Sequence, residues 1–371
     1  MKVAVNIVRI VVALTLMFSG FVKAVDPLGT QYKMHDYLEA MGLVELLPDW
    51  VLLGCSVALS ATEFVLGVLL LFAISRRLVT KIVLALMVVM TCLTVWIYAT
   101  DPVEDCGCFG DALVLTNGQT LLKNIVLLAM AALLAWKPLL MPRFISIRWQ
   151  WITYYTAVAV IICVSAYSLY YLPLIDFRPY KVGADIPKLM EIPEGAEQPK
   201  YETTFIMAKN GEQREFTLDN YPDSTWTFVD SKTKQISKGY VPPIHDFEIQ
   251  DARSGEDITE EVLSNKGCTL LLVSPHLENA DDTNFGEIDQ LYEWSKENKV
   301  AFYCLTASGH KGIEHWVETT GAEYPFCQVD ETTLKTMIRS NPGLILLRNG
   351  KIMGKWSHND LPKTEDIKSF I

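Results

Sequence analysis

Five apolar runs, at about 3–24, 50–74, 78–99, 119–141 and 151–175, constrain this chain more than any other feature. A bilayer core of about 30 Å takes roughly 20 apolar residues in a helix, and each run supplies that length or nearly so. Inside lipid the backbone must satisfy its own N–H and C=O groups, so such runs are expected as helices. The first run has a second reading, because Val22-Lys23-Ala24 fits a small-residue signal-cleavage pattern. Its thin basic start, Lys2 alone, and the interruption at Arg9 argue for a retained helix.

The charges divide the chain at the end of the fifth run. Residues 1–175 carry a net charge of +1 and residues 176–371 a net −12. An acidic soluble part argues against nucleic acid or anionic lipid as its ligand. Orientation follows from Lys and Arg in the short loops. Arg76, Arg77 and Lys81 lie between the second and third runs, and Lys137, Arg143 and Arg148 between the fourth and fifth. The 25–47 loop has only Lys33, and the 100–118 loop has neither Lys nor Arg. The basic loops are therefore expected on the cytoplasmic side with the amino terminus. The 100–118 loop and all of 176–371 are expected on the other side.

The 100–118 loop holds Cys106 and Cys108 with only Gly107 between them. Gly relaxes the backbone enough for so small a disulfide ring to close. A strained ring would be more oxidising than a structural disulfide, which suits thiol exchange. A structural, inert disulfide is the second reading. A metal held with an outside ligand such as His35 is the third, although structural zinc usually takes four ligands. Within the membrane part, Glu63 lies near the middle of the second run, where an ionisable residue costs at least about 2.5 kcal/mol. It is expected either to hold a ligand or proton, or to be hydrogen-bonded inside the bundle towards Arg9. Lys123 and Asn124 are expected as interface anchors. Cys55, Cys92 and Cys163 are expected as small packing residues in the helices.

Residues 1–140 resemble the DoxX/MauE group of small four-helix membrane proteins. The resemblance rests on Arg9, on Phe18-Ser-Gly-Phe-Val-Lys-Ala-Val-Asp-Pro27, and above all on Asp105-Cys-Gly-Cys-Phe-Gly110 before the fourth span. It implies a role in the maturation of disulfide-rich periplasmic proteins. A similar architecture in vitamin K epoxide reductase-like proteins, which pass electrons between thiols and quinones, adds quinone as an implied cofactor. Those reductases carry a Cys-x-x-Cys within a helix, and this chain has none.

Beyond the bundle, Pro173, Pro179, Pro187, Pro193 and Pro199 break any helix. Alternating runs after Tyr201 then read as strands, with Asn210-Gly211 as a hairpin turn. Residues 243–371 alternate strands and helices and resemble a thioredoxin-like domain of the TlpA type. The matching features are Pro243-x-x-Asp-Phe, the apolar strand at 269–273 and Asn341-Pro342-Gly-Leu-Ile-Leu-Leu. The resemblance implies a cis bond before Pro342, beside the reactive turn. That turn here reads Ser274-Pro-His-Leu-Glu-Asn-Ala280, without cysteine. Cys327 is a candidate lone exchange partner and His276 a candidate at the vacant turn. Cys304 is expected in the core.

The expected organisation is a four-helix membrane domain at 1–142, a tethering helix at 148–175, a β-rich connection at 176–242 and the thioredoxin-like domain at 243–371. The expected function is thiol–disulfide exchange at Cys106 and Cys108 in the bacterial inner membrane. Periplasmic protein clients would be recruited by the distal domain, with Glu63, Arg9, Pro342 and Cys327 as binding residues. The alternatives are a non-catalytic assembly protein and a bundle that binds a small ligand through Glu63.

Overall fold

The computed structural model describes residues 1–371 except 104–105, 198–199, 210–211, 218–225, 238 and 371. Five helices in it are long and apolar enough to cross a membrane. They are α1 (Lys2–Val25), α3 (Asp49–Leu71), α4 (Arg76–Thr100), α5 (Asn117–Trp136) and α6 (Gln150–Tyr170). Between α1 and α3 lies a shorter helix, α2 (Pro27–Ala40). Asp26 starts it, accepting from Gly29 N at 2.9 Å, and Pro27 at its first position gives up no needed donor.

α1 and α3 run antiparallel at very close range because two glycines let their backbones meet. A Cβ on Gly20 would lie 2.5 Å from Phe64 N and 2.6 Å from Ser60 O. One on Gly67 would lie 2.8 Å from both Ala13 O and Met17 N. Small residues serve helix contacts in membranes in this way, since lipid gives no hydrophobic drive for association. Gly20→Val is therefore expected to destabilise the bundle by at least ~1–3 kcal/mol, the usual cost of overpacking, because the obstacle is backbone. Thermal unfolding of the full chain in detergent would show it as a lowered midpoint.

Beyond the bundle come a short helix, α7 (Ile186–Met190), and a three-stranded antiparallel sheet. That sheet has β1 (Lys200–Lys209) between β2 (Glu212–Thr217) and β3 (Thr227–Ser237). The turn expected at Asn210-Gly211 lies outside the described residues, although Lys209 pairs with Glu212 on either side of it.

The distal domain follows as β4 (Gln250–Asp251), α8 (Thr259–Ser264), β5 (Cys268–Ser274), α9 (Phe285–Glu297), β6 (Ala301–Thr306), α10 (His310–Thr320), β7 (Phe326–Gln328), α11 (Glu331–Met337), β8 (Gly343–Arg348), β9 (Lys351–Ser357) and α12 (Thr364–Lys368). Its sheet has the order β4-β7-β6-β5-β8-β9. β5, β6 and β7 are parallel, while β8 and β9 form an antiparallel hairpin against β5. This is the thioredoxin-like arrangement. β5 is buried along all seven residues because both sheet faces are covered. Leu271 and Val273 point into one core, Leu270 and Leu272 into the other.

The start of the connecting segment belongs physically to this domain. Gly183 N donates to Ile352 O and Ile352 N to Ala184 O, each at 2.8 Å, adding backbone to the open edge of β9. Ile186 is fully buried in the distal core. Pairing of this kind relieves the exposed edge that β9 would otherwise present.

Candidate functional site

The Cys-Gly-Cys turn is held from the bundle side by three side chains. Gly107 sits at φ +59° and Gly110 at φ +51°, left-handed values that favour glycine, and Gly110 N closes the turn onto Gly107 O at 3.0 Å. Tyr37 on α2 donates its hydroxyl to Cys106 O. Ser19 and Lys23, one helical turn apart on α1, both donate to Cys108 O, at 2.9 and 2.8 Å. Lys23 Nζ also donates to Ser19 Oγ at 2.6 Å and to Glu63 Oε2 at 2.8 Å.

The Lys23–Glu63 pair is the charged centre of the bundle. Both side chains are buried, at 6 % and 5 % exposure. The expectation that Glu63 leans towards Arg9 is corrected by this pairing. Arg9 is also buried but lies at the opposite end of α1, where it donates to the Leu71 and Leu70 carbonyls at the end of α3 and stacks over Phe144. Arg9 and Lys23 are 14 positions apart, which is about 21 Å along a helix at roughly 1.5 Å per residue. Glu63 can reach only one of them.

The two sulfurs are 3.0 Å apart and free, against about 2.05 Å for a covalent bond. Their environments push them in opposite directions. The hydrogen bond from the Cys106 thiol is the main influence holding Cys108 down, to about 6; burial opposes it, and Lys123 and Lys23 assist. The same bond, with burial, pushes Cys106 up. The shared hydrogen bond thus favours ionisation of Cys108 over Cys106. Lys123, expected as an interface anchor, stacks over the Phe109 ring at 4.2 Å beside the thiols. Asn124 is buried and donates to Thr94 Oγ1 at 3.3 Å, so it joins α5 to α4.

Behind the turn lies a cavity of about 130 Å³, inside the bundle. Cys106, Cys108, Lys23 and Glu63 line it together with apolar side chains such as Met87 and Leu93. In front of the turn lies a larger cleft of about 500 Å³ between the bundle and the distal domain. Gly107 lines both spaces, whereas Cys106 and Cys108 line the inner one. Lys23, Thr30 and Lys33 also line both, so the turn and the α1 and α2 side chains beside it separate the two spaces.

The other expected site residues lie apart from this centre. The Asn341–Pro342 bond is cis, beside the vacant turn, as expected. Asn341 Nδ2 donates to His276 O at 2.8 Å, and Asn341 Oδ1 accepts from Ser274 Oγ at 2.6 Å. His276 itself pairs with Glu331 at 2.9 Å. Cys327 lies fully buried in β7, its thiol pushed up to about 12 by burial, which corrects the expectation of an accessible exchange partner beside Pro342. Cys304 is in the core, as its alternation implied. Cys55, Cys92 and Cys163 sit on the outer faces of their helices, not between them. The nitrogen of His35 groups with Asp36 and Glu39 on α2, within 4.8 Å, rather than with the two thiols.

Fold and site together define a multi-pass membrane bundle carrying a free cysteine pair, joined to a thioredoxin-like domain. Residues 1–137 match the family described as methylamine utilisation protein MauE. Residues 201–238 match a domain family of unknown function, DUF8463. Among solved structures the chain is similar to the C-terminal domain of a candidate thiol-disulfide oxidoreductase from Bacteroides thetaiotaomicron. That match has 20 % identity and a TM-score of 0.28, and covers 33 % of this chain and 88 % of that one. A candidate protein disulfide isomerase from the same organism matches at 17 % identity and a TM-score of 0.26, covering 34 % of this chain and 80 % of that one. No curated protein matches.

Proposed function

We propose that this protein exchanges thiols and disulfides at a membrane surface, with Cys106 and Cys108 as its redox pair. The observation that carries the reading is the 3.0 Å hydrogen-bond contact between two free sulfurs on one turn. In one direction, the Cys108 thiolate attacks a sulfur of a client disulfide, forming a mixed disulfide and expelling a client thiolate. That thiolate takes up the Cys106 proton. Cys106 then attacks Cys108 Sγ and expels the second client thiolate, so the client gains two electrons and the pair becomes a disulfide. The reverse sequence installs a disulfide in the client. Lys23 and Ser19 act as positioning residues, since their bonds to Cys108 O fix the turn that presents the sulfur.

The Lys and Arg distribution supports an inner-membrane orientation with the cysteine turn and the distal domain on the periplasmic side, where thiols are oxidised. Protein clients with cysteines are the partners this chemistry requires. A lipid-dissolved carrier such as a quinone fits the apolar lining of the inner cavity as the second redox partner. The cysteine-free turn at 274–280 favours a second reading, in which the chain is a non-catalytic assembly protein. A ligand role for Glu63 has less support, because Lys23 already occupies that carboxylate.

Trapping separates these readings. Cys106→Ser leaves Cys108 without a resolving partner, so mixed disulfides are expected to accumulate on Cys108 in native membranes. Mass spectrometry under non-reducing conditions should find protein adducts on Cys108, absent from the Cys106→Ser/Cys108→Ser variant. Absence of adducts in both would favour the assembly reading.

A further inference from the structure

We propose that Arg339 is a latch that docks the distal domain over the cysteine turn and closes it to protein clients. This rests on the exchange reading for its purpose but not for its geometry. Arg339 follows α11 and is 7 % exposed. It grips Asp26, the residue that joins α1 to α2. Nε lies 2.9 and 3.0 Å from the two carboxylate oxygens, and Nη2 lies 2.9 Å from Oδ2. The guanidinium also stacks over Tyr32 on α2, at 5.2 Å, with Lys335 over the same ring at 4.8 Å. Bidentate, buried and ring-stacked contacts are those in which Arg gives a defined geometry.

The second attachment lies where α6 ends. Asn359 Nδ2 donates to Tyr170 O at 2.8 Å, and Lys355 Nζ reaches Asp176 Oδ2 at 2.7 Å. The domain is therefore tied by covalent chain and short contacts at α6, and elsewhere on the bundle by Arg339, paired with Asp26 at 2.9 Å and more loosely with Asp111 at 3.8 Å. The first has the character of a hinge and the second of a latch. Between them lies the 500 Å³ cleft, with α11 as one wall and Gly107 on the other. With the latch closed, α11 covers the outer face of the cysteine turn and the thiols face the inner cavity. With it open, the domain swings on α6 and the outer face becomes accessible to a polypeptide.

Two substitutions test this without removing the helix cap. Asp26→Asn keeps a side-chain acceptor for Gly29 N and loses the charge, and Arg339→Gln loses the guanidinium. The reduced full-length protein in native membranes is treated with a bulky polymer maleimide or with small iodoacetamide, and labelling at Cys108 is read by mass spectrometry. Both variants are expected to label faster with the bulky reagent by roughly 5- to 150-fold, the usual range for coupling between sites. The small reagent should change much less. An unchanged bulky rate, or equal acceleration of both reagents, would overturn the latch. This readout needs only thiols, so a redox-inert pair would sink the exchange reading in the trapping experiment and leave this result standing.

Discussion

Lys23→Met is expected to destabilise the protein by ~3–5 kcal/mol, the cost of leaving a buried charge without its partner. The substitution keeps the volume but strands Glu63 inside the bundle and removes one of two donors to Cys108 O. The double variant Lys23→Met/Glu63→Leu should recover most of that stability, because replacing both members of a buried pair by apolar residues is often neutral. It should not recover the cysteine turn's fixed position, since Lys23 still cannot hold Cys108 O. Unfolding midpoints in detergent read the first effect and Cys108 labelling kinetics the second. A double variant as unstable as Lys23→Met would show that the lysine acts through the turn rather than through the ion pair.

Cys106→Ala is expected to move the titration of Cys108 from about 6 towards the ordinary thiol value; ordinary thiols titrate near 8.5. The main influence holding Cys108 down is the Cys106 hydrogen bond, and alanine has none to give. The sign is fixed by the thiolate: above its pKa Cys108 reacts, below it does not, so the reactive window narrows from the acid side. At pH 7 the ionised fraction falls by about 30-fold for a shift to an ordinary thiol. A thiolate of higher pKa is intrinsically more nucleophilic, by a slope of roughly 0.4–0.5. At pH 7 the second effect offsets only part of the first, leaving a net loss of roughly 2- to 3-fold. The pH midpoint of alkylation is therefore the measurement, and an unmoved midpoint would show that the lysines rather than Cys106 set it.

Much of the fold is legible in the residues. The five apolar runs become five helices because lipid allows no other solution, and β5 shows itself by an unbroken apolar stretch. The cysteine turn is legible for the same reason, as the polar break between two spans. The partner of Glu63 is harder to read. Lys23 stands near the end of the first run, inside a pattern that also fits a cleavage site, so its charge reads as a boundary marker. Ser19 and Lys23 do lie four positions apart on one helical face, and that small polar stripe opposite Glu63 is the signal that could identify them. The Arg339–Asp26 contact has no such signal. The two residues are 313 positions apart in sequence, and only the docking of two domains brings them together.

The distal domain shows the opposite relation between sequence and site. Its strand order and the cis bond before Pro342 follow from the motif, yet Cys327, the candidate exchange partner, is sealed in the core. A buried thiol held high supplies almost no thiolate. Its α11 lines the cleft that faces the bundle's own cysteine turn.

On the proposed function, Cys106 and Cys108 cycle between dithiol and disulfide. The most direct test is a redox titration of the pair in native membranes, by stepwise alkylation and mass spectrometry across glutathione potentials. A midpoint well above about −300 mV, where structural disulfides usually resist reduction, is the expected result. A pair that stays oxidised across the whole range would contradict it.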